Sequence, residues 1–144
     1  PRRAFAEALL KTVGDAGPVF VYNRSFEVGR LRELAQAYPD LAPALAALIA
    51  RVNDLKPLTE RYYCHPAMKG SGSLKAVLPT IAPELDYGAL TIGGGDAASG
   101  AWREIYHSDT PADRRAELRA ALAEYCHRDT LALVRLAAFL AGRP

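Results

Sequence analysis

The chain has few cysteines and no long hydrophobic run, and these absences exclude several classes of protein. Its 144 residues contain two cysteines, Cys64 and Cys126. That number is far too small for a disulfide framework, so we expect a reducing environment and no disulfide partner. No segment approaches the roughly 20 consecutive apolar residues that a membrane-spanning helix needs, and no secretory pattern opens the chain. The sequence therefore predicts a soluble, cytoplasmic protein without membrane contact.

An excess of charge of one sign is also absent. The formal net charge is +2 at pH 7, which neither argues for a nucleic-acid partner nor excludes one. Half of the residues are hydrophobic and 24% are charged, as in ordinary globular proteins. The length fits one domain, which we predict to span residues 1–144. Because the first residue is Pro1 rather than Met, we interpret the domain as an excised piece of a longer protein.

Helical and strand patterns alternate in the N-terminal half. Residues 4–13 predict an amphipathic helix, and the apolar run at 18–22 predicts a buried strand. The period then changes from two to nearly four, which predicts a helix from Phe26, on its apolar face, to Tyr38 before a proline. A second helix is predicted at 41–52. Strand, polar turn and helix in this order are typical of an α/β unit.

The C-terminal half predicts further helices joined by turns. An extended piece is expected at residues 87–92, followed by a helix at 97–107. Thr110 and Pro111 then provide a helix start signal, as N-cap and first helical residue. The last helix is predicted to run from there to Leu140.

This last helix carries a carboxylate within an apolar stripe. Residues at steps of three and four share one face, namely Leu118, Leu122, Tyr125, Asp129, Leu133, Leu136 and Leu140. An ionised side chain in such a stripe is costly unless a metal ion, a cation or hydrogen-bond donors meet it. Asp129 therefore needs a partner. The partner is either an arginine or backbone group at a helix bend, or a metal ion with Tyr125 holding a water one turn earlier.

Two further acids have comparable settings. Glu27 lies in the first turn of the helix after the first predicted strand, where ligands gather in open α/β sheets and where an acid also complements the helix dipole. Asp54 follows a predicted helix break and either caps the next turn or faces the same site as Glu27. If the strand and the last helix pack together, Glu27 and Asp129 converge. Divalent ions between them would then stabilise a reacting phosphodiester.

A basic, glycine-rich loop offers a different chemistry. Lys69 and Lys75 flank a helix start at which Ser73 is the expected N-cap, and such helix starts bind phosphate well. The alternative is a plain linker with a cap. With Tyr63, the lysines also fit a non-catalytic module that binds nucleic acid or a partner protein.

Zinc binding is another alternative. Cys64-His65 and Cys126-His127 provide four zinc-ligating side chains. Structural zinc sites usually place two ligands on one turn or knuckle, whereas side chains of adjacent residues point in different directions. The spacing therefore disfavours a zinc site.

Several of these segments together resemble the DnaQ-like 3′–5′ exonucleases, the ribonuclease H-like superfamily with four catalytic acids, in its tyrosine type. More narrowly, the chain resembles a bacterial domain-of-unknown-function family related to those nucleases. The similarity extends from about Gly17 to Leu140. The segments that carry it are Asn23-Arg24-Ser25-Phe26-Glu27, Asp54-Leu55, Ser73-Leu74-Lys75 and Tyr125-x-x-x-Asp129.

The resemblance implies a metal-dependent nuclease domain that hydrolyses phosphodiester bonds at single-stranded nucleic-acid ends with two Mg²⁺ or Mn²⁺ ions. Glu27 matches the second-motif acid, Asp129 the third-motif acid and Tyr125 the tyrosine that positions water. Glu27 and Asp129 would bind metal, with Asp54 as a further candidate. The expected nucleic-acid-binding residues are Asn23, Phe26, Lys69, Ser73 and Lys75.

Two departures from the family pattern bear on activity. The second-motif acid is usually Asp, and Glu27 is one methylene longer. The first motif, D-x-E on an opening strand, is absent, because the only acids before Val19 are Glu7 and Asp15. Either this pair lies upstream in a longer parent protein or the chain is a degenerate relative.

The missing motif also shapes the expected fold. The resemblance implies a partial, helix-rich ribonuclease H-like α/β fold, the C-terminal part of an exonuclease-like domain, without its opening antiparallel strands. We expect one central strand, with at most a small hairpin besides, and no exonuclease activity in this polypeptide alone. The alternative function is a non-catalytic nucleic-acid- or protein-binding module of the same fold.

Overall fold

The structure is a computed structural model that describes residues 1–85, 87–88 and 90–143. It is helix-rich with one small parallel sheet, which agrees with a mixed α/β class. Two compact units are present, Pro1–Cys64 and His65–Pro144, and each is described below by itself. The single-domain organisation inferred from the sequence stays a prediction.

The first unit surrounds a short two-stranded sheet with helices. Its elements are α1 (Arg2–Val13), β1 (Val19–Val21), α2 (Arg24–Ala37), α3 (Ala42–Ala50), β2 (Val52–Asp54) and α4 (Leu55–Tyr62), with a 3₁₀ turn at Pro39–Leu41. The strands pair in parallel, with Val19 opposite Val52 and Val21 opposite Asp54. Parallel pairing requires a long crossover, which α2 and α3 provide.

One hydrophobic core holds this unit together. Buried apolar side chains from three helices and both strands contribute to it, namely Ala6, Val21, Val28, Leu31, Leu34, Leu45, Leu48 and Val52. Burying a side chain of the size of valine or leucine contributes about 1.5–3 kcal/mol. Both helices form where the apolar spacing predicted them, but α1 packs through Ala6, and Phe5 in the same helix is 59% exposed.

Three expectations for this unit are wrong. The helix predicted at 41–52 ends at Ala50, because Val52 is buried in the core and pairs with β1 as a second strand. The first strand is not fully buried, since Phe20 is 43% exposed on the open face of a sheet with two strands. Phe26 is 62% exposed rather than part of the apolar face of α2.

A helix also follows where the sequence indicated only a break. α4 begins at Leu55, directly after β2, and Pro57 lies in its first turn. Proline is tolerated there because the first backbone N–H groups of a helix have no intrahelical partner. The break at residues 53–57 is thus a change from strand to helix.

The described residues of the second unit form three helices and two short 3₁₀ turns. These are α5 (Leu74–Ile81), α6 (Gly95–Ile105) and α7 (Ala112–Leu140), with 3₁₀ turns at Pro66–Met68 and Pro83–Leu85. Ser73 is the N-cap of α5, as predicted, and its hydroxyl oxygen accepts a hydrogen bond from the Ala76 amide at 3.3 Å. The helix predicted at 97–107 is present as α6.

The long helix α7 packs through the predicted stripe. None of the seven stripe residues is exposed. One part of the stripe contacts the core of Leu78, Ala82, Leu85, Tyr87 and Ala132, and another part contacts the core of Ile92, Ala101, Ile105 and Leu118. Tyr125 packs against both cores. The helix is continuous through the segment where a bend was considered.

Two local expectations in this unit are wrong. Thr110 is not the N-cap, because α7 begins at Ala112 and Pro111 takes the N-cap position. The Thr110 hydroxyl donates to the Glu104 carbonyl at 2.6 Å instead. The extended piece expected at 87–92 contains a turn, in which the Leu90 amide donates to the Tyr87 carbonyl at 3.1 Å. Ala89 of that piece lies outside the described residues.

The part of the chain that the structure describes contains no helix long and apolar enough to span a membrane. Cys64 and Cys126 are both exposed free thiols.

Candidate functional site

Asp54, at the end of β2, organises the strand ends of the first unit. Its Oδ1 accepts hydrogen bonds from the amides of Asn23 at 3.0 Å and Lys56 at 2.9 Å, and its Oδ2 accepts one from the Arg24 amide at 2.8 Å. Burial raises the pKa of Asp54, but these donors outweigh burial and the pKa lies below its usual value. The predicted capping role is confirmed, because Asp54 caps α4 and also joins the start of α2 to the sheet.

Asn23 forms the sharp turn between β1 and α2. Its backbone is left-handed, with φ of 85°, a conformation that asparagine tolerates better than most residues. Its side-chain oxygen accepts a hydrogen bond from the Ser25 hydroxyl at 2.8 Å. The structure thus shows a local conformational role for Asn23, and its predicted contact with nucleic acid stays a prediction.

Glu27 differs from Asp54 because its carboxylate is incompletely satisfied. It is half-buried in the first turn of α2, near the carboxyl ends of the parallel strands. Among the described residues, no group hydrogen-bonds to its buried Oε2. Burial raises the pKa of Glu27, and the negative charge of Asp54 raises it further against the opposing effect of a backbone hydrogen bond. A cation at this oxygen would relieve both penalties.

The neighbouring Phe26 projects into solvent. The Arg30 guanidinium lies 5.7 Å from the centroid of its ring. An exposed ring beside a carboxylate is a surface on which a nucleic-acid base could stack. That role stays a prediction.

In the second unit, Asp129 has the partner that its place in an apolar stripe demanded. The Tyr87 hydroxyl donates to its Oδ1 at 2.6 Å. Tyr125 lies one helical turn before Asp129, with its ring centroid 6.4 Å from that of Tyr87. The partner is therefore a tyrosine from outside α7 rather than a group at a helix bend.

The same arrangement makes both tyrosines weak acids. Burial, then the hydrogen bond to Asp129 and the charge of that carboxylate, raises the pKa of Tyr87 far above its usual value. Burial, the charge of Asp129 and a hydrogen bond to that carboxylate raise the pKa of Tyr125 to about 12. Both hydroxyls remain protonated at neutral pH and act as hydrogen-bond donors.

The predicted phosphate-binding residues of this unit are largely engaged within the protein. The Lys75 ammonium donates to the Gly93 carbonyl and lies 5.6 Å from the ring centroid of Tyr87. The Ser73 hydroxyl caps α5. Lys69 is exposed, with a left-handed φ of 51°. Phosphate contact by these residues stays a prediction.

The predicted site residues divide between the two units. Asn23, Phe26, Glu27 and Asp54 belong to the first unit, and Lys69, Ser73, Lys75, Tyr125 and Asp129 belong to the second. Convergence of Glu27 with Asp129 stays a prediction. In residues 1–85, 87–88 and 90–143, no three or more His, Cys, Asp or Glu side chains are grouped as metal ligands.

Tyr87 is the residue that the sequence did not reveal. It lies between a proline-rich turn and a glycine-rich segment, where no helical or strand period links it to Asp129. The only available signal was indirect, namely that Asp129 required a donor. Seven tyrosines could have supplied that donor.

These features define a helix-rich α/β protein with carboxylates at strand ends and in a helix stripe. The chain belongs to the family described as Domain of unknown function (DUF2779), whose model matches residues 1–73, about half of the chain. No curated protein and no solved structure matches the chain.

Replacing Asp54 with alanine should destabilise the first unit. Three backbone amides lose their acceptor, and the loss of a helix-capping side chain typically costs about 1–2 kcal/mol. Because the folded-state pKa of Asp54 is lowered, the advantage of the wild type should be present at neutral pH and should vanish as the pH falls below about 4. Denaturant unfolding monitored by circular dichroism measures the difference in the free energy of unfolding between D54A and the wild type. The exposed turn residue Asp15, changed to alanine, is the control, and equal stability of D54A and D15A would contradict the capping role.

Replacing Glu27 with glutamine should stabilise the chain at pH 7. The raised folded-state pKa means that ionisation of Glu27 opposes folding, so the neutral amide removes a penalty that grows as the pH rises above about 4.5. We therefore expect a higher Tm for E27Q than for the wild type at pH 7. The gain should disappear near pH 4. E60Q at an exposed position is the matched control, and a Tm of E27Q at or below that of wild type would be inconsistent with an unpaired carboxylate.

Alkaline pH should weaken the second unit through Tyr87 and Tyr125. Their pKa values are raised in the folded state, so the unfolded chain loses these protons first and the free energy of unfolding falls as the pH rises from about 10 towards 12. D129N removes the charge that raises both pKa values, so its decline should be smaller. Thermal unfolding between pH 9 and about 11.5 tests this, with D113N in the same helix as control. Equal declines in D129N and D113N would refute the assignment.

Proposed function

We propose that this chain is part of a metal-dependent nuclease domain that hydrolyses phosphodiester bonds at nucleic-acid ends, built on a partial ribonuclease H-like fold. The observation that carries the proposal is the buried Oε2 of Glu27, which has no hydrogen-bond partner among the residues that the structure describes and lies near the carboxyl ends of two parallel strands. Ligands of open α/β sheets collect at this edge. A carboxylate oxygen without a donor fits a cation as its missing partner.

The chemistry of the donor set agrees with a hard divalent ion. Mg²⁺ and Mn²⁺ prefer carboxylate and water oxygens, and Glu27 would supply one such oxygen. Asp129, in the other unit, is the second acid to which the proposal gives a metal-binding role. Asp54 has three backbone donors, so its main contribution is to fix the strand ends beside Glu27. When bound, such ions would neutralise charge on the phosphodiester and lower the pKa of a water molecule.

Tyr125 is suited to hold that water rather than to accept its proton. Its pKa, raised to about 12, keeps the hydroxyl protonated at neutral pH. A protonated phenol donates one hydrogen bond and offers a lone pair to a neighbouring water. The side chain is half-buried, which limits the number of positions that its hydroxyl can adopt.

The residues present supply only part of such a site. The orphaned oxygen of Glu27 fits a metal ion, but four acids are implied by the resemblance and the D-x-E pair is not in this sequence. The proposal therefore assigns binding and orienting roles to these residues and expects no cleavage by the 144-residue chain alone.

A second candidate function, a non-catalytic nucleic-acid-binding module, has a specific feature in its favour. Trp102 in α6 and Tyr106 just after it are 53% and 62% exposed, and their ring centroids lie 4.8 Å apart. Exposed aromatic rings on one helical face can stack with successive bases of a single strand. Such a module would bind without any requirement for Glu27 or Asp129.

The two functions separate when Asp129 is replaced by alanine. The test uses the chain together with whatever its coding frame places before Pro1, on end-labelled single-stranded DNA and RNA with Mg²⁺. A nuclease should lose cleavage in D129A and keep its affinity for the strand, because a metal ligand is removed and the strand contacts are not. D113N, an exposed acid of the same helix, should behave as wild type.

Unchanged cleavage in D129A would overturn the nuclease proposal. Absence of Mg²⁺-dependent cleavage in the wild type, together with lost binding in the W102A/Y106A double variant, would favour the binding module instead. Metal-dependent cleavage by the 144-residue chain alone would contradict the expectation that it is an inactive fragment.

A further inference from the structure

We propose that the end of α6 and the turn after it form a binding site for a nucleotide, in which the rings of Trp102 and Tyr106 stack with the base and Arg103 binds the phosphate. The inference deepens the second candidate function and rests on it, because it adds a phosphate site to the stacking surface named there. The site lies within the second unit and uses neither Glu27 nor Asp129. Its test therefore requires no metal ion and no cleavage.

The aromatic part of the site is a pair of exposed rings. Trp102 and Tyr106 are 53% and 62% exposed, although rings of this size usually gain stability from burial. Their centroids lie 4.8 Å apart and their planes are tilted by 56°, so the two rings restrain each other. Every base has a π-face that can stack on such rings. The pair is thus a preformed surface for a base.

An open cavity of about 410 Å³ adjoins this pair, a volume within the usual range of small-molecule sites, about 300–1,000 Å³. Its lining residues are Arg103, Glu104, His107, Asp109, Thr110 and Pro111. Arg103 follows Trp102 directly in sequence, and His107 follows Tyr106. Successive residues of a helix point about 100° apart, so the cavity and the rings occupy neighbouring faces of one segment. A ligand with a flat ring and an attached polar group can contact both.

Arg103 supplies the available positive charge of the cavity. Its exposed guanidinium has no ion pair or hydrogen bond among the residues that the structure describes. The carboxylate of Glu104 is neutralised by Arg114 at 2.8 Å. The carboxylate of Asp109 accepts a hydrogen bond from the Ser108 hydroxyl at 2.8 Å, and its side chain is 84% exposed, so solvent screens its charge. A guanidinium binds phosphate oxygens through two parallel hydrogen bonds, and phosphate is the group that this arginine fits.

Hydrogen bonds within the chain hold the turn that shapes the cavity. The Thr110 hydroxyl donates to the Glu104 carbonyl at 2.6 Å. The Arg115 guanidinium donates to the carbonyls of His107 and Ser108 at 3.1 and 3.2 Å. Because these contacts already fix the walls of the cavity, a ligand would need to order little of the chain on binding.

The fluorescence of Trp102 tests the site directly, because it is the only tryptophan of the 144-residue chain. The chain is titrated without added metal with adenosine 5′-monophosphate, adenosine and inorganic phosphate. We expect saturable quenching by the monophosphate and binding of adenosine that is weaker by about tenfold, because the charge-assisted hydrogen bonds to phosphate are lost. Equal affinities of the wild type for the monophosphate and for adenosine would overturn the phosphate site.

R103M removes the guanidinium and keeps most of the side-chain length. R119M removes an exposed arginine of α7 outside the cavity and is the matched control. R103M should bind adenosine and its monophosphate equally, whereas R119M should keep the wild-type preference, with unchanged circular dichroism in both. Equal affinities of R103M and R119M for the monophosphate would contradict the role of Arg103.

Y106A tests the stacking surface and keeps the fluorescent reporter. It should weaken binding of both adenosine and the monophosphate by at least about fivefold. Y62A, which removes an exposed tyrosine of the first unit, is its control. Equal affinities of Y106A and Y62A would overturn the stacking role.

A single-stranded adenine oligonucleotide without a terminal phosphate distinguishes the two sources of the nucleotide. Tighter binding of the oligonucleotide than of the monophosphate assigns the site to a nucleotide within a strand, and the reverse order assigns it to a free nucleotide. Quenching by neither overturns the site, whatever the outcome of the cleavage assay. Self-association of the chain that W102A abolishes would assign the rings to a contact between copies and would also overturn it.

Failure of this inference and failure of the proposed functions give different results. Unchanged cleavage in D129A overturns the nuclease proposal and leaves this site standing. Strand binding that is lost in W102A/Y106A but unchanged in R103M would keep the binding module and overturn the phosphate site.

Discussion

A carboxylate that leaves water must find donors or a cation, and this constraint governs the important acids of the chain. Asp54 meets it by accepting hydrogen bonds from three backbone amides, which connect the starts of α2 and α4 to the end of β2. Asp129 meets it with a buried tyrosine hydroxyl. Glu27 meets it only in part, since its buried Oε2 has no hydrogen-bond partner among the described residues. The difference matters because an unsatisfied buried charge destabilises a fold unless it serves a ligand.

The first unit depends on its acids because its sheet is so small. Two strands of three residues each form a sheet that would be marginal without further support. The hydrophobic core beneath the strands supplies most of that support. Asp54 adds the remaining connection, since it binds the amides that begin α2 and α4 at the point where both strands end. The core does not cover every aromatic side chain, since Phe20 in β1 and Phe26 in α2 remain exposed.

The second unit solves a different problem, that of placing a polar group within a long packed helix. Tyr87 and Tyr125 surround the Asp129 carboxylate with rings and hydroxyls, so apolar packing and hydrogen bonding come from the same side chains. The Lys75 ammonium lies over the Tyr87 ring. The Asp129 side chain is half-buried in this arrangement.

Local patterns determined the helices of this protein. The sequence predicted α1, α2 and α7 from their periodic apolar residues, because helical neighbours lie three or four residues apart. It also predicted the N-cap at Ser73 and the need of Asp129 for a partner. The mixed α/β class could be predicted from the same local patterns. The sequence by itself could not identify β2, because Val52 becomes a strand residue only through pairing with Val19, more than thirty positions earlier.

The tertiary structure alone decided which groups satisfy the acids. Tyr87 reaches Asp129 across 42 positions, and Asp54 reaches Asn23 across 31. Thr110 donates its hydroxyl to the Glu104 carbonyl, six residues earlier, and α7 begins only at Ala112. Periodicity describes neighbours on one element and contains no information about which distant side chain the folded chain brings alongside. Contacts between elements are set by burial and by the requirement that every buried polar group find a partner, and both are properties of the assembled fold.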